Sequence, residues 1–189
     1  LSVLELRWPR QMLAIVGSEG FLCMGAIAFV GAFLRAEFDL SYLAIGLILG
    51  CFGLGGLVYA LCVRWLLAKL GETGLAIAGG TAMGAAFLLL AVAPRWELAP
   101  LALLLCGLGF YMLHNTLQTN GTQMAPFNRS AAIALFAFCL FVGQSLGAVL
   151  LGVLLPFTGY RPAFAVTAVG LVAVAIIFRR AKLAQLAKA

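Results

Sequence analysis

Six stretches of this chain run for about 20 residues with almost no charge, and no other feature constrains the fold so tightly. About 20 apolar residues are what an α-helix needs to cross the hydrocarbon core of a bilayer. Inside that core each backbone N–H and C=O must find its partner within the segment, which leaves helices for runs of this length. The runs cover residues 11–34, 40–63, 73–93, 98–118, 131–155 and 162–178. Charge, proline and glycine stand between them. Arg35, Glu37 and Asp39 close the first; Arg64, Lys69, Gly71 and Glu72 follow the second; Pro94, Arg95 and Glu97 follow the third. Pro126 and Arg129 follow the fourth, Pro156 stops the fifth, and Pro162 opens the sixth in a first-turn position that suits proline. The chain is 65% apolar and 10% charged, against the roughly 25% charge of an ordinary soluble domain, so lipid must cover much of its surface. The expectation is an all-α membrane protein: one domain over residues 1–189, six transmembrane helices, short loops and no soluble domain.

A net charge of +6 would suggest a nucleic-acid partner in a soluble protein. Here the basic residues are spread over short loops and the C-terminal tail and read as orientation signals, so no nucleic-acid partner is expected. With the N-terminus in the cytoplasm, that side holds Arg7, Arg10, Arg64, Lys69, Arg129, Arg179, Arg180, Lys182 and Lys188. The other side holds Arg35, Arg95 and Arg161. Nine against three places both termini in the cytoplasm. Trp8, Trp65, Trp96, Tyr42 and Tyr160 sit at span ends, as an interfacial aromatic belt requires. Cys23, Cys51, Cys62, Cys106 and Cys139 all lie inside apolar runs without C-x-x-C spacing and read as small packing residues. With His114 as the single histidine, no zinc cluster and no cofactor is expected. The basic, mixed stretch Leu1 to Arg10 lacks a signal-peptide pattern, and the absence of an initiator methionine points to a start inside a longer gene product.

Polar groups in hydrocarbon are costly unless they face a partner or water. The third and sixth runs, apart from Thr81 and Thr167, are mixtures of Ala, Gly, Val, Leu and Ile. The first carries Ser18-Glu19 about half way along. The fourth carries Tyr111, His114, Asn115, Gln118 and Thr122, which at ~100° per residue form one stripe within roughly a 100° arc. The fifth holds Gln144-Ser145 near its midpoint, with Phe138 and Phe141 on about the same side. The economical arrangement has runs one, four and five lining a shared cavity while three and six face lipid. An ionised carboxylate at mid-membrane costs about 2.5 kcal/mol or more, so Glu19 must be protonated, paired or wet. It reads either as a proton-titrating or cation-recognising group in a transport pathway, or as a protonated carboxyl holding a neighbouring helix. His114 either relays protons, its reference pKa being about 6.5, or hydrogen-bonds nearby backbone. Asn115 and Gln144 either contact a substrate or bridge helices.

Gly143-Gln144-Ser145-Leu146-Gly147 matches G-x-S-x-G, the nucleophile-elbow pattern. That pattern works on a strained strand-to-helix turn, whereas here it falls inside an apolar run, where Gly143 and Gly147 give the small-xxx-small spacing of close helix packing. Gly46-x-x-x-Gly50 and Gly80-x-x-x-Gly84 read the same way, and no enzymatic activity is expected.

The stretch Met112-Leu-His-Asn-Thr-Leu-Gln-Thr-Asn-Gly-Thr-Gln-Met-Ala-Pro126, followed by Arg129 and by Phe136-Ala-Phe-Cys-Leu-Phe-Val-Gly-Gln-Ser-Leu-Gly147, resembles spans ten and eleven of the major facilitator superfamily, in particular bacterial drug and sugar efflux antiporters. Gly159-Tyr160-Arg161-Pro162 is similar to the turn into span twelve there. The resemblance extends over the whole chain and implies the C-terminal six-helix half of a twelve-helix carrier. In that fold the half's first, second, fourth and fifth helices line the cavity, and its third and sixth lie outside. The family's G-x-L-a-D-R-x-G-R-like loop motif is represented by Arg64-Trp-Leu-Leu-Ala-Lys69-Leu-Gly71-Glu72, with the basic residues and glycine but no Asp. The resemblance makes Arg64, Lys69 and Arg129 the cytoplasmic residues to examine for gating.

The function expected is secondary transport by alternating access, with proton-coupled efflux of a small amphipathic or sugar-like substrate from a bacterial inner membrane. Glu19 and His114 are the candidates for proton or cation coupling. Tyr111, Asn115, Gln118, Phe141, Gln144 and Ser145 are candidates for the pathway. The partners expected are the lipid bilayer, the substrate, protons, and the missing N-terminal half or a second half-size subunit. Two rivals stand beside this reading: a non-transporting scaffold or assembly subunit whose polar stripe only joins helices, and an intramembrane hydrolase built on Ser145 and His114.

Overall fold

The computed structural model describes residues 2–187, so Lys188 of the charge census lies outside the described residues. The chain is almost wholly helical. After a short helix Ser2–Glu5, five segments among the described residues are long and apolar enough to cross a membrane. We label them α1 (Arg7–Phe38), α2 (Tyr42–Val92), α3 (Ala99–Gln123), α4 (Arg129–Thr158) and α5 (Tyr160–Leu186).

Local chemistry sets their ends. Asp39, at φ 51°, terminates α1 in the left-handed conformation that Asp tolerates. The Ser41 hydroxyl accepts the Ala44 N–H at 3.3 Å and caps α2, and Asn128 caps α4 by accepting the Ala131 N–H at 3.2 Å. The helix α4 runs through Pro156, where a stop is expected, because so near its end the ring disturbs only the last turn. It ends two residues later, before Gly159 at φ 74°.

The loop expected around residues 64–72 is helical apart from one residue. Gly71, inside the 51-residue α2, has φ 64° and ψ 177°. The chain reverses there. A Cβ on Gly55 would meet the Leu108 amide nitrogen at 2.5 Å, and one on Gly79 would meet the Leu113 amide nitrogen at 2.7 Å. Both arms of α2 (42–70 and 72–92) therefore rest on the same short stretch of α3. A continuous helix would hold residues 55 and 79 about 36 Å apart. Gly71 lies in a backbone region that is essentially closed to other residues, while nothing else crowds it within 4 Å. Gly71→Ala is accordingly expected to cost about 1–3 kcal/mol through backbone strain alone, seen as a lower melting temperature of the purified protein.

The second arm of α2 packs between α3 and α5, with Gly79 against Gly109 and Gly80 against Ala175, so the third run, expected to face lipid, is largely interior; α1 packs along α4. The α1–α4 seam is backbone against backbone: a Cβ on Gly143 would overlap the Gly17 carbonyl, and one on Gly147 would overlap the Phe21 carbonyl. Small residues permit that approach, where van der Waals packing rather than the hydrophobic effect joins helices. The G-x-S-x-G stretch thus packs as its helical setting leads one to expect. Phe33, Phe87 and Phe164 fill one end of the bundle, with Phe33 and Phe164 edge to face at 5.2 Å. At that end Arg161 donates to the carbonyls of Ala91 (3.1 Å) and Ala93 (2.9 Å) and approaches Glu37 at 3.4 Å, joining α5, α2 and α1. The outer surface is apolar. Leu43, Leu47 and Leu61 on the first arm of α2, Val149 and Phe157 on α4, and Val169 on α5 are two-thirds or more exposed. Such a surface requires lipid or another apolar surface against it, and the chain is a multi-pass membrane protein.

Candidate functional site

Glu19 sits at the end of the first α-helical part of α1, just before residues Gly20–Met24 wind as a π-helical turn. Such widened turns are frequent at functional sites. The Glu19 side chain is fully buried, and its Oε2 lies 2.9 Å from Nδ1 of His114 on α3, 95 residues away in sequence. Its other oxygen, Oε1, is buried without a hydrogen-bond partner. The imidazole is held flat against Phe110, ring centroids 4.8 Å apart and planes within 11°, and Phe136 of α4 closes on it at 5.8 Å. One proton suffices for the contact in either arrangement: Nδ1–H donates to a carboxylate, or a carboxylic acid donates to the bare nitrogen.

The polar stripe of α3 has the periodicity that its spacing suggests. Tyr111, His114, Asn115 and Thr122 are half-buried and Gln118 is exposed, while Met112, Leu113, Thr116 and Leu117 between them are buried. The stripe nevertheless addresses more than one neighbour. His114 turns to Glu19. Tyr111 stacks on Tyr59 of α2 with centroids 6.4 Å apart. Asn115 opens with Tyr59, Glu72, Thr119 and Lys182 into a cavity of about 480 Å³. From α4 it is Phe136 that reaches the Glu19–His114 pair. Phe141 and Ser145 are exposed, the Ser145 hydroxyl donating to the Phe141 carbonyl at 2.9 Å, and Gln144 is half-buried beside Gly20. Arg64, Lys69 and Arg129 are exposed near the bundle end that carries Gly71, with the Lys69 ammonium 5.9 Å above the Trp65 ring.

A second polar cluster is not evident in the sequence as a unit. Asn120 is buried on α3, donates to Glu72 just beyond the Gly71 reversal, and accepts from the Lys182 ammonium of α5 at 2.6 Å. Lys182 also lies 3.4 Å from the Glu72 carboxylate and 5.8 Å above the Trp8 ring of α1. Four segments are tied by one lysine. Glu72 and Lys182 flank apolar runs and look like loop and tail residues. The available signal was Asn120, which falls on the buried face of α3, four residues after Thr116, where a polar side chain demands a partner.

A family model described as Major Facilitator Superfamily matches residues 8–187. No curated protein and no solved structure matches the chain.

Proposed function

The chain belongs to the major facilitator superfamily, and from that premise we propose that it is one six-helix half of a secondary active transporter, the C-terminal half, working by alternating access. A membrane transporter is what the family provides; the coupling and the pathway are our reading. Counting the two arms of α2 separately gives six crossings, in keeping with the reversal at Gly71. The first arm of α2 and α4 carry many of the most exposed apolar side chains, and we assign that face to the other half, either an N-terminal six-helix segment or a second half-size subunit. We assign the basic end, with Trp8, Arg64 and Lys182, to the cytoplasmic side on the positive-inside rule, and take the membrane to be a bacterial inner membrane.

The observation that carries the reading is the Glu19–His114 pair, a carboxyl and an imidazole sharing a buried contact with one oxygen left unpartnered. A carboxyl buried at this depth needs a partner with which to share its proton, and the His114 imidazole supplies one. Glu19 and His114 exchange the coupling proton. Tyr111, Asn115, Gln118, Phe141, Gln144 and Ser145 border the pathway of a small amphipathic or sugar-like substrate moving outward against protons. The scaffold reading keeps the same contacts as mere helix joints. The experiment is transport of an amphipathic dye such as ethidium by the full-length carrier in proteoliposomes with an imposed pH gradient. Glu19→Gln keeps shape and hydrogen-bonding capacity but cannot release a proton. It is expected to abolish pH-driven transport, a loss of about a hundredfold or more as for a removed acid–base group, with the melting temperature little changed. Undiminished pH-driven transport by the variant would remove Glu19 from the mechanism.

A further inference from the structure

Among the described residues α4 buries Ala132, Phe136, Gly143 and Gly147. Three of these are small, and the two glycines make the seam with α1. The one large side chain goes elsewhere. Phe136 reaches α3 and closes on His114, with ring centroids 5.8 Å apart and planes inclined at 53°. Phe138, Phe141 and Phe157 of the same helix are exposed.

The surface of α3 is shaped to receive that ring. Gly121 follows His114 by about two turns and lies on the same face. A Cβ there would overlap Cδ2 of Phe136 and lie 2.9 Å from its Cε2, so the phenyl ring rests on a surface that glycine alone leaves free. Phe110, one turn before His114, supplies a second ring, stacked on the imidazole with centroids 4.8 Å apart and planes within 11°. Both phenylalanines are buried. With Glu19 Oε2 at 2.9 Å from Nδ1, three side chains hold the imidazole, and 13% of its surface stays open.

Filling space is what any buried ring does. What sets Phe136 apart is what it covers: a carboxyl–imidazole pair in which Glu19 is fully buried and its Oε1 has no hydrogen-bond partner. Water admitted beside the pair would hydrate that oxygen and compete for the shared proton. We propose that Phe136 is the positioning residue of the pair: its ring holds the imidazole on Glu19 and keeps water from the contact. In a transport cycle that makes Phe136 the residue that stops the shared proton from leaking. This consequence rests on the reading of Glu19 and His114 as the coupling pair; the cover itself does not.

The test reads His114 directly. Diethyl pyrocarbonate acylates a neutral imidazole, and His114 is the single histidine of this sequence. Its rate of modification is followed in the full-length carrier in proteoliposomes, by mass spectrometry of the peptide that contains it. Phe136→Ala is expected to raise the rate about tenfold or more, because removing the ring opens a cavity beside the imidazole. Phe136→Leu keeps apolar cover and is expected to raise it much less. Gly121→Ala pushes the ring off its seat and is expected to raise the rate too, but to add nothing once residue 136 is alanine. It carries the test if the Phe136→Ala protein does not assemble. Phe87→Ala takes the same volume from the cluster with Phe164 at one end of the bundle and is expected to leave the rate at the wild-type value. An unchanged rate in Phe136→Ala, or in Gly121→Ala where that variant stands in, would overturn the proposal. So would additive effects of the two changes, or an equal rise in Phe87→Ala, which would show general loosening. Proton leak without substrate, measured in the same vesicles under an imposed pH gradient, separates the cover from the coupling. A leak that rises with the modification rate supports both. Faster modification without leak keeps Phe136 as the cover and counts against Glu19 and His114 as the coupling pair.

Discussion

Replacing Gly143 by valine is expected to stop α1 and α4 from closing on each other. The space a side chain would occupy is already filled by the Gly17 carbonyl, so the two helix backbones must part. A rotamer change cannot relieve an overlap with backbone. The neighbouring contact of Gly147 with the Phe21 carbonyl would be pulled open at the same time. Overpacking of this kind costs about 3 kcal/mol or more. The variant is expected to lose its cooperative melting transition in detergent or to shift it far down. Gly46→Ala is the control: nothing lies within 4 Å of a Cβ there, so that Gly46 and Gly50 do not form the packing face their spacing suggests, and the change is expected to be neutral or to stabilise by up to about 1 kcal/mol. A Gly143→Val protein that melts with the wild type would show that the seam is not a close backbone contact.

Lys182→Met is expected to have the next largest effect. It keeps the apolar stem and removes the ammonium that Asn120, Glu72 and Trp8 share. Asn120 then loses its donor in a buried position, and Glu72 is left as an unbalanced charge. Taking one partner from a buried pair costs about 3–5 kcal/mol. The 38% exposure of the Glu72 side chain allows water to compensate in part, which brings the expectation to about 2–4 kcal/mol. Adding Glu72→Gln to Lys182→Met is expected to recover part of the loss, since the orphaned carboxylate goes with it. A double variant no more stable than the single one would mean that Lys182 acts through Asn120 and the indole rather than through Glu72. Melting of both variants in detergent measures this directly.

The sequence made the helical stripe of α3 legible, because periodicity is a local property. Tyr111, His114, Asn115, Gln118 and Thr122 are all found on the less buried side. The seam glycines were legible for the same reason, as four-residue spacing puts Gly143 and Gly147 on one face. The partner of Glu19 was not. His114 stands 95 residues away, and the pairing depends on how α1 crosses α3, which no local pattern encodes. Phe136, which closes on the imidazole, looks like any other aromatic of an apolar run. Lys182 was hidden by hydropathy itself. Two residues beyond Arg179-Arg180 it reads as part of a basic tail, whereas its long stem carries the charge back to α3. The Gly71 reversal lay between: glycine and charge announced a break, but not that the break would be one residue long.

That brevity has a consequence for how the protein is made. The two apolar arms are joined through one non-helical residue, and the charged side chains beside it, Arg64, Lys69 and Glu72, hold that junction at the membrane surface. So short a junction favours their entering the bilayer together as a hairpin, whose α3-facing glycines are uncovered until α3 packs on them. The pair therefore stays incomplete in the membrane until α3 emerges from the ribosome, and α3 is the next segment to be synthesised.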